Sequence, residues 1–343
     1  MSRLNILIWH IHGSYLNTLA RIKHNWFLPT KPGRPEGYGG RGPTFDLPDY
    51  VREVPAEQVC DLDLDLIIFQ TPKNILEDQY EILSKEQRAL PRIYLEHNSP
   101  RPHPTDSIHL INDPNILLVH VTHYNRMMWD NGQTPTMVIE HSVAINPTIR
   151  YTGEINRGIT VINGMQKRPR IAGFDLFMGV RDLISLDAVG METEQFGGLG
   201  DVPYRDLHRL VARYRFLFSP IRYTSLPLAV IEGLTIGMPI IALATTELPT
   251  VIENGKHGYV SCDVPQLVRH MHRLLNDPEE ARYLGENARR LALERFGLER
   301  FAQRWNVAFS YVGAGTRSGR WQLDNGASQP AELLTNANLL ENQ

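Results

Sequence analysis

"SPIRYTSLPLAVIEGLTIGMPIIALATTELPTVIENGKHGYV", Ser219 to Val260, holds a polar turn, a helix start, a carboxylate on the helix and a strand, in that order. Just upstream, Arg215 to Pro220 is a short apolar run ended by proline, which reads as a buried strand, and Ile221 to Ser225 is the turn at its carboxyl end. Pro227 then opens a helix, because a proline lacks the N–H that would have no intrahelical partner in a first turn. The backbone N–H groups of Leu228, Ala229 and Val230 are expected to point into a crevice at the positive end of the helix dipole, where a diphosphate fits. Glu232 lies four residues beyond Leu228 and so projects from the same face one turn deeper, where a carboxylate accepts two ribose hydroxyls. Gly237 ends the helix, and "MPIIAL" is the next buried strand.

Outward from this unit the chain alternates strands and helices, the pattern of a parallel, doubly wound α/β sheet. The second half restarts at "GITVING" (158–164) and runs through a helix at 173–181, a strand at 183–188, a Gly-rich loop "GGLGDVP" and a helix at 204–212. The first half is expected to hold strands at 4–10, 65–70, 92–95, 116–121 and 136–140, with helices at 14–24, 73–89 and 123–131. Pro29 to Pro48 is dense in Pro and Gly and reads as a long mobile loop, in which Lys31, Arg34, Tyr38 and Arg41 are placed to contact a sugar or a phosphate. The division is a Rossmann-like domain at 1–150, a second at 151–312 with a hinge at 146–155, and a polar tail at 313–343 that reads as flexible. The aromatic-rich "RFAQRWNVAFSYV" is a candidate for a last helix crossing back onto the first domain.

Composition narrows the function classes. A chain of 343 residues with 42% hydrophobic and 8% aromatic content can build two cores. No apolar run approaches the length of a membrane span, and the N-terminal residues enter a strand with no secretory leader. Two cysteines, Cys60 and Cys262, argue for free buried thiols in a reducing cytoplasm. A net charge of −3, from 35 basic and 38 acidic residues without a basic cluster, argues against nucleic acid and leaves only a peripheral membrane contact open. Six of the thirteen histidines fall between residues 97 and 141, but no H-x-x-x-H spacing or cysteine partner accompanies them, so zinc is not expected.

The donor-site unit resembles that of retaining glycosyltransferases of the B-type fold, in particular family 4 (group 1), whose pattern is E-G-F-P-x-x-x-x-E-A-M-A-x-G-x-P-V-I-A. Here the line reads T-S-L-P-L-A-V-I-E-G-L-T-I-G-M-P-I-I-A, matching at Pro227, Glu232, Gly237 and Pro239, with Thr224 in place of the first Glu. Glu247, Gly255 and Gly258 fall in register with a downstream segment of the family, and the helices closing at Trp305 are similar to its own. The resemblance covers residues 155 to 312 well and the first half by architecture. It implies two doubly wound Rossmann-like domains facing across a cleft (GT-B). The activity implied is a hexosyltransferase-like transfer from a nucleotide-diphosphate sugar to a hydroxyl of a saccharide or lipid-linked acceptor, retaining, without a metal or other cofactor, in polysaccharide or glycoconjugate synthesis.

The same resemblance assigns the site residues. The nucleotide diphosphate lies on the turn from Arg222 through Ser225 to Leu228 and Ala229, with Glu232 on the ribose. Where the family has an Arg, four residues and Lys-Gly, this chain has "NGMQKRPRIAGFDLF": Gly173 matches, Ala172 replaces the lysine, and Arg170, then Lys167, are the substitute cations, Arg being able to grip a diphosphate bidentately. Gly13, in the turn after the first strand, lets backbone approach the ligand, with His10 and His12 behind it. His97 ends a strand where the family often has a histidine near the transferred sugar or the acceptor, and with Thr224 forms the catalytic pair of candidates; His141 borders the hinge. With the first Glu and the lysine both replaced, a catalytically silent nucleotide-sugar-binding or scaffold protein is the alternative. A sugar-nucleotide epimerase of the same fold is the third reading, though no paired carboxylates suit it.

Overall fold

A computed structural model describes residues 3–317. Among these residues twelve parallel strands form two sheets. The first has the order β3-β2-β1-β4-β5-β6-β7, from β1 (Asn5–Ile8), β2 (Asn25–Thr30), β3 (Val51–Pro55), β4 (Leu66–Phe69), β5 (Arg92–Glu96), β6 (Ile116–His120) and β7 (Thr136–Val138). The second has the order β12-β11-β10-β8-β9, from β8 (Ile155–Val161), β9 (Leu186–Val189), β10 (Tyr214–Ser219), β11 (Ile240–Leu243) and β12 (Gly258–Ser261). Strand order reverses between β1 and β4 in one sheet and between β8 and β10 in the other. At such switch points the loops leave in opposite directions and open a crevice beyond the carboxyl ends of the strands.

Two strands of the first sheet were not expected from the sequence, because each carries a proline. Pro29 lies in β2 beyond the stretch that pairs with β1, which ends at Phe27, so its missing N–H interrupts nothing on that side. β3 is the sheet edge, where proline is tolerated. The helix expected over 73–89 is broken: a wide turn at Asn74–Asp78 runs into a helix at Gln79–Ile82, and a separate turn begins at Gln87. The break is a reciprocal cap, in which Gln87 N–H donates to Ser84 Oγ (3.1 Å) and Ser84 N–H donates to Gln87 Oε1 (3.0 Å).

The Gly- and Pro-rich segment between β2 and β3 is packed rather than mobile. Tyr38 is 1% exposed within the first domain's core, the Arg34 guanidinium grips Glu53 at 2.7 and 2.9 Å, and the Arg41 guanidinium donates to the carbonyls of Leu47, Pro48 and Val51. Backbone that cannot enter a strand is thus satisfied by its own arginines. Lys31 lies over the Tyr38 ring at 4.1 Å and pairs with Glu81. Both cysteines are free, and both are exposed instead of buried.

The closing helix Leu298–Arg317 does cross back. Phe301, Trp305, Ala308, Phe309 and Val312 pack into the core of the first sheet with Ile8, Leu16, Trp26 and Leu117. Trp305 Nε1 donates to the Tyr15 hydroxyl (3.2 Å), and Asn306 bonds the His24 ring (3.1 Å). The helix runs past Gly313 to Arg317, and the rest of the expected tail lies outside the described residues. Among the described residues no helix is long and apolar enough to cross a membrane.

Candidate functional site

The switch point of the second sheet and the first helix after β1 face one cavity of about 710 Å³. From the second domain it is lined by the ends of β8 (Val161, Ile162) and β10 (Ile221), by Thr224 and by the helix Leu228–Ile236 through Leu228, Ala229 and Glu232; from the first domain by Ser14, Pro43, Thr44 and Phe45. Pro227 stands as the extended residue before the helix rather than inside it. The helix start presents fewer donors than expected, since Val230 N–H donates to the Pro227 carbonyl (3.0 Å). Leu228 and Ala229 keep their amides for a ligand.

Glu232 is 7% exposed, with its carboxylate at the cavity wall. Its Oε1 accepts from the Tyr204 hydroxyl (3.1 Å) and lies 3.5 Å from His208 Nε2, while Oε2 has no partner among the described residues. Burial, and then the Glu232 charge, push the Tyr204 phenol well above its ordinary value, so it stays a donor at any working pH. His208 Nε2 is buried without a hydrogen-bond partner, which fixes an unspent polar atom beside the carboxylate. Neither Tyr204 nor His208 was singled out in the sequence. The signal was present: four residues apart on the helix Tyr204–Val211, they share the face turned to Glu232.

The expected cations sit beside the cavity in ion pairs. Gly173, at φ +78°, lets the loop after β8 press onto the loop after β10, where a Cβ would meet the Pro220 carbonyl oxygen at 2.0 Å. That contact brings Arg222 and Arg170 onto one carboxylate, Asp175: Arg222 binds it at 2.6 and 2.9 Å and donates to the Arg170 carbonyl (2.9 Å), and Arg170 pairs with the same group. The two guanidiniums, Arg222 first, hold the Asp175 carboxyl down at about 2. Lys167 pairs with Glu192. Ser225 is buried, and its carbonyl accepts from the Thr246 hydroxyl (3.1 Å). Among the described residues Arg205, exposed, is the only cation lining the cavity, and Asp201 and Glu232 are its carboxylates.

Across the cleft Gly13 opens the first helix, and a Cβ there would lie 2.6 Å from the Phe45 ring, which in turn packs edge-to-face on Tyr204 with ring centroids 4.7 Å apart. His97 does not line this cavity. It is buried against Tyr15 (4.8 Å) and His12 (4.2 Å), and its Nε2 bonds Gln70 Oε1 (2.9 Å). Burial, with His12 and His141 nearby, drives its pKa well below the ordinary value, so it is neutral. His141, also buried, is lowered to about 3. The loop after His97 reaches the turn after β10, where the Tyr223 hydroxyl donates to the Pro100 carbonyl (3.0 Å).

A second tie joins the domains. Buried Glu247 accepts from Tyr124 N–H (2.8 Å), at the start of the helix His123–Met128, and from the Thr250 hydroxyl (2.9 Å). Arg295 lies 3.6 Å from Glu247 and binds Glu140 (2.7 Å).

Two parallel α/β domains that both line one cavity define a protein of the GT-B glycosyltransferase fold. Residues 192–291, which include Tyr204, His208 and Glu232, match the family described as glycosyl transferases group 1. Over 110 residues the chain is 34% identical to the MMP alpha-(1->4)-mannosyltransferase of Mycolicibacterium hassiacum. That stretch covers 31% of this chain and spans about a quarter (26%) of that relative's length. Among solved structures, sucrose-phosphate synthase of Thermosynechococcus elongatus superposes with a TM-score of 0.69 at 15% identity, covering 91% of this chain and 100% of the other. Anabaena HepE, in complex with UDP and glucose, gives a TM-score of 0.66 at 13% identity, covering 90% and 100%.

Proposed function

We propose that the protein transfers a sugar from a nucleotide-diphosphate donor to a hydroxyl of a saccharide or lipid-linked saccharide. The observation that carries this reading is Glu232, a buried carboxylate at a cavity wall with one oxygen held by Tyr204 and the other open. A carboxylate so placed binds two vicinal hydroxyls of a ribose, and its burial makes each bond stronger than it would be in water. With the ribose at Glu232, the diphosphate extends toward the amides of Leu228 and Ala229, with Arg222 and Arg170 one loop away. The transferred sugar then lies by Thr224, facing the first domain.

Departure of a nucleoside diphosphate builds negative charge on the leaving oxygen, and helix-end amides with guanidiniums can offset it without a metal. The hydroxyl of Thr224 supplies a polar group at the cavity wall where the family usually has a carboxylate, which suits a mechanism resting on positioning and leaving-group stabilisation. Retention of configuration and a place in cell-surface glycan synthesis follow from the family resemblance. Incubation with UDP-glucose and GDP-mannose, with and without an acceptor mixture of oligosaccharides, tests the reading: the donor should be consumed only with acceptor present. Binding without turnover would instead support a silent nucleotide-sugar-binding protein, the second reading, which Thr224 at the cavity wall favours.

A further inference from the structure

A cavity of about 530 Å³ lies in the second domain between the chain from Pro249 to His257 and the helix Pro278–Arg295, and it shares no lining residue with the cavity at Glu232. We infer that it binds a small organic anion, a carboxylate or a phosphate monoester, through His257, Asn287 and Arg290. One helix face and one turn build it. Asn287, Arg290, Leu291 and Glu294 are spaced so that they share a face of the helix. Opposite them the amides of Lys256 and His257 both donate to the Glu253 carbonyl (3.1 Å each), which closes a tight turn with Gly255 at φ +78°. That turn fixes the His257 ring, because Glu253 N–H donates to His257 Nδ1 (3.2 Å).

An N–H only donates, so Nδ1 holds the lone pair and Nε2 carries the proton. His257 is 7% exposed, and burial, then Lys256, lower its pKa, so the ring is neutral. Its Nε2–H is a donor in the cavity wall with no partner among the described residues. Asn287 is also unspent, since its Nδ2 is buried without a partner. Of the two cations at the cavity, Lys256 is held by Glu253 (2.9 Å), whereas Arg290 is exposed and has no ion pair among the described residues. Unmet donors call for oxygens, and a free guanidinium grips a carboxylate or a phosphate through two parallel bonds. The charge of Glu253 is already offset by Lys256; Glu294, one turn beyond Arg290, is exposed and competes with the ligand for it. Val251, Ile252 and Leu291 supply apolar wall for the carbon body of the ligand. Thr250, also in the wall, accepts through its carbonyl from Arg295 (2.7 Å), so the site backs onto the tie between the domains.

The test is calorimetric titration of the full chain with inorganic phosphate, glycerol 3-phosphate, glucose 1-phosphate, succinate and citrate, beside glycerol and glucose. UDP is present throughout, to occupy Arg222 and Arg170. At least one anion should bind, and the neutral compounds should not; binding by the phosphates alone or by the carboxylates alone upholds the site and names which group it takes. Arg290→Gln should weaken that binding about tenfold, the worth of a charge-assisted hydrogen bond. His257→Leu should weaken it as well, and His257→Gln, which keeps an N–H donor, should restore part of the loss. Arg290 is exposed and unpaired, so its replacement probes the cavity without a folding cost. Glu294→Gln should strengthen binding about two- to fivefold by removing the competitor for Arg290. No binding of any anion, equal binding of glycerol or glucose, or an affinity unchanged in Arg290→Gln would each overturn the proposal. Weaker binding in Glu294→Gln would also overturn it, since the ligand would then carry a cationic group that needs this carboxylate.

Discussion

Replacing Asp175 by Asn should tighten nucleotide-diphosphate binding. In the free protein Asp175 holds both Arg222 and Arg170, the guanidiniums assigned to the diphosphate, so the ligand competes with a carboxylate already in place. The Asp175 carboxyl falls from 3.8 to about 2, but 40% of its side chain and 75% of that of Arg170 are exposed. Solvent screening therefore reduces the pairing to about 1 kcal/mol or less. At about 1.4 kcal/mol per decade, its removal is expected to strengthen UDP binding about two- to fivefold. Uridine, which lacks the diphosphate, should bind unchanged, so the ratio of UDP to uridine affinity by calorimetric titration isolates the effect. The gain should shrink as ionic strength rises, since these charges are accessible to counterions. Equal shifts for UDP and uridine, or weaker UDP binding in the variant, would refute the assignment of these arginines. The variant should also lose one component of acid sensitivity. A depressed carboxyl stabilises the fold fully above about pH 4 and loses that contribution as pH falls toward 2.

The remaining predictions concern the frame around the site. His97, His120 and His141 are buried with pKa values lowered, the last two to about 4 and about 3. Unfolding lets them take up protons, so stability should be full above about pH 6.5 and fall at lower pH by up to about 1.4 kcal/mol per unit for each histidine. Urea unfolding at pH 7 and pH 5 measures this, and equal midpoints would count against it. Glu247→Ala removes the carboxylate that joins Tyr124 N–H to the second domain while leaving Arg295 on Glu140, and should cost about 1–3 kcal/mol in the same assay. Trp305→Ala empties a fully buried site between the closing helix and the first sheet and should cost about 3–5 kcal/mol; a change below 1 kcal/mol would mean the helix is not part of that core.

The strand, turn and helix from Tyr214 to Gly237 were legible because each part is local. A strand ended at a proline, a helix begun after Pro227 and stopped at Gly237 (φ +98°), and a Glu one turn in are all matters of spacing within twenty residues. Strands β2 and β3 were hidden because proline is a breaker in general and harmless where a neighbour's ladder has ended, which only the register reveals. The capping pair Ser84 and Gln87 was readable as S-x-x-Q, yet the apolar pattern on either side masked it. Tyr204 and His208 escaped notice because their meaning depends on Glu232, distant in sequence and adjacent only after the sheet is wound. The pairing of Arg170 and Arg222 on Asp175 is likewise a product of two loops meeting at Gly173. Cysteine burial was misjudged from composition, since thiols are buried on average and both of these are exposed.

The central claim is that Glu232 anchors a nucleotide in the cleft. Thermal stabilisation by UDP, GDP, ADP and dTDP, on the wild type and on Glu232→Ala, tests it most directly, since a ligand bound to the folded state raises the midpoint by mass action. The account predicts a rise with one base that disappears in the variant. A rise of the same size in Glu232→Ala, or none with any nucleotide on the wild type, would contradict it.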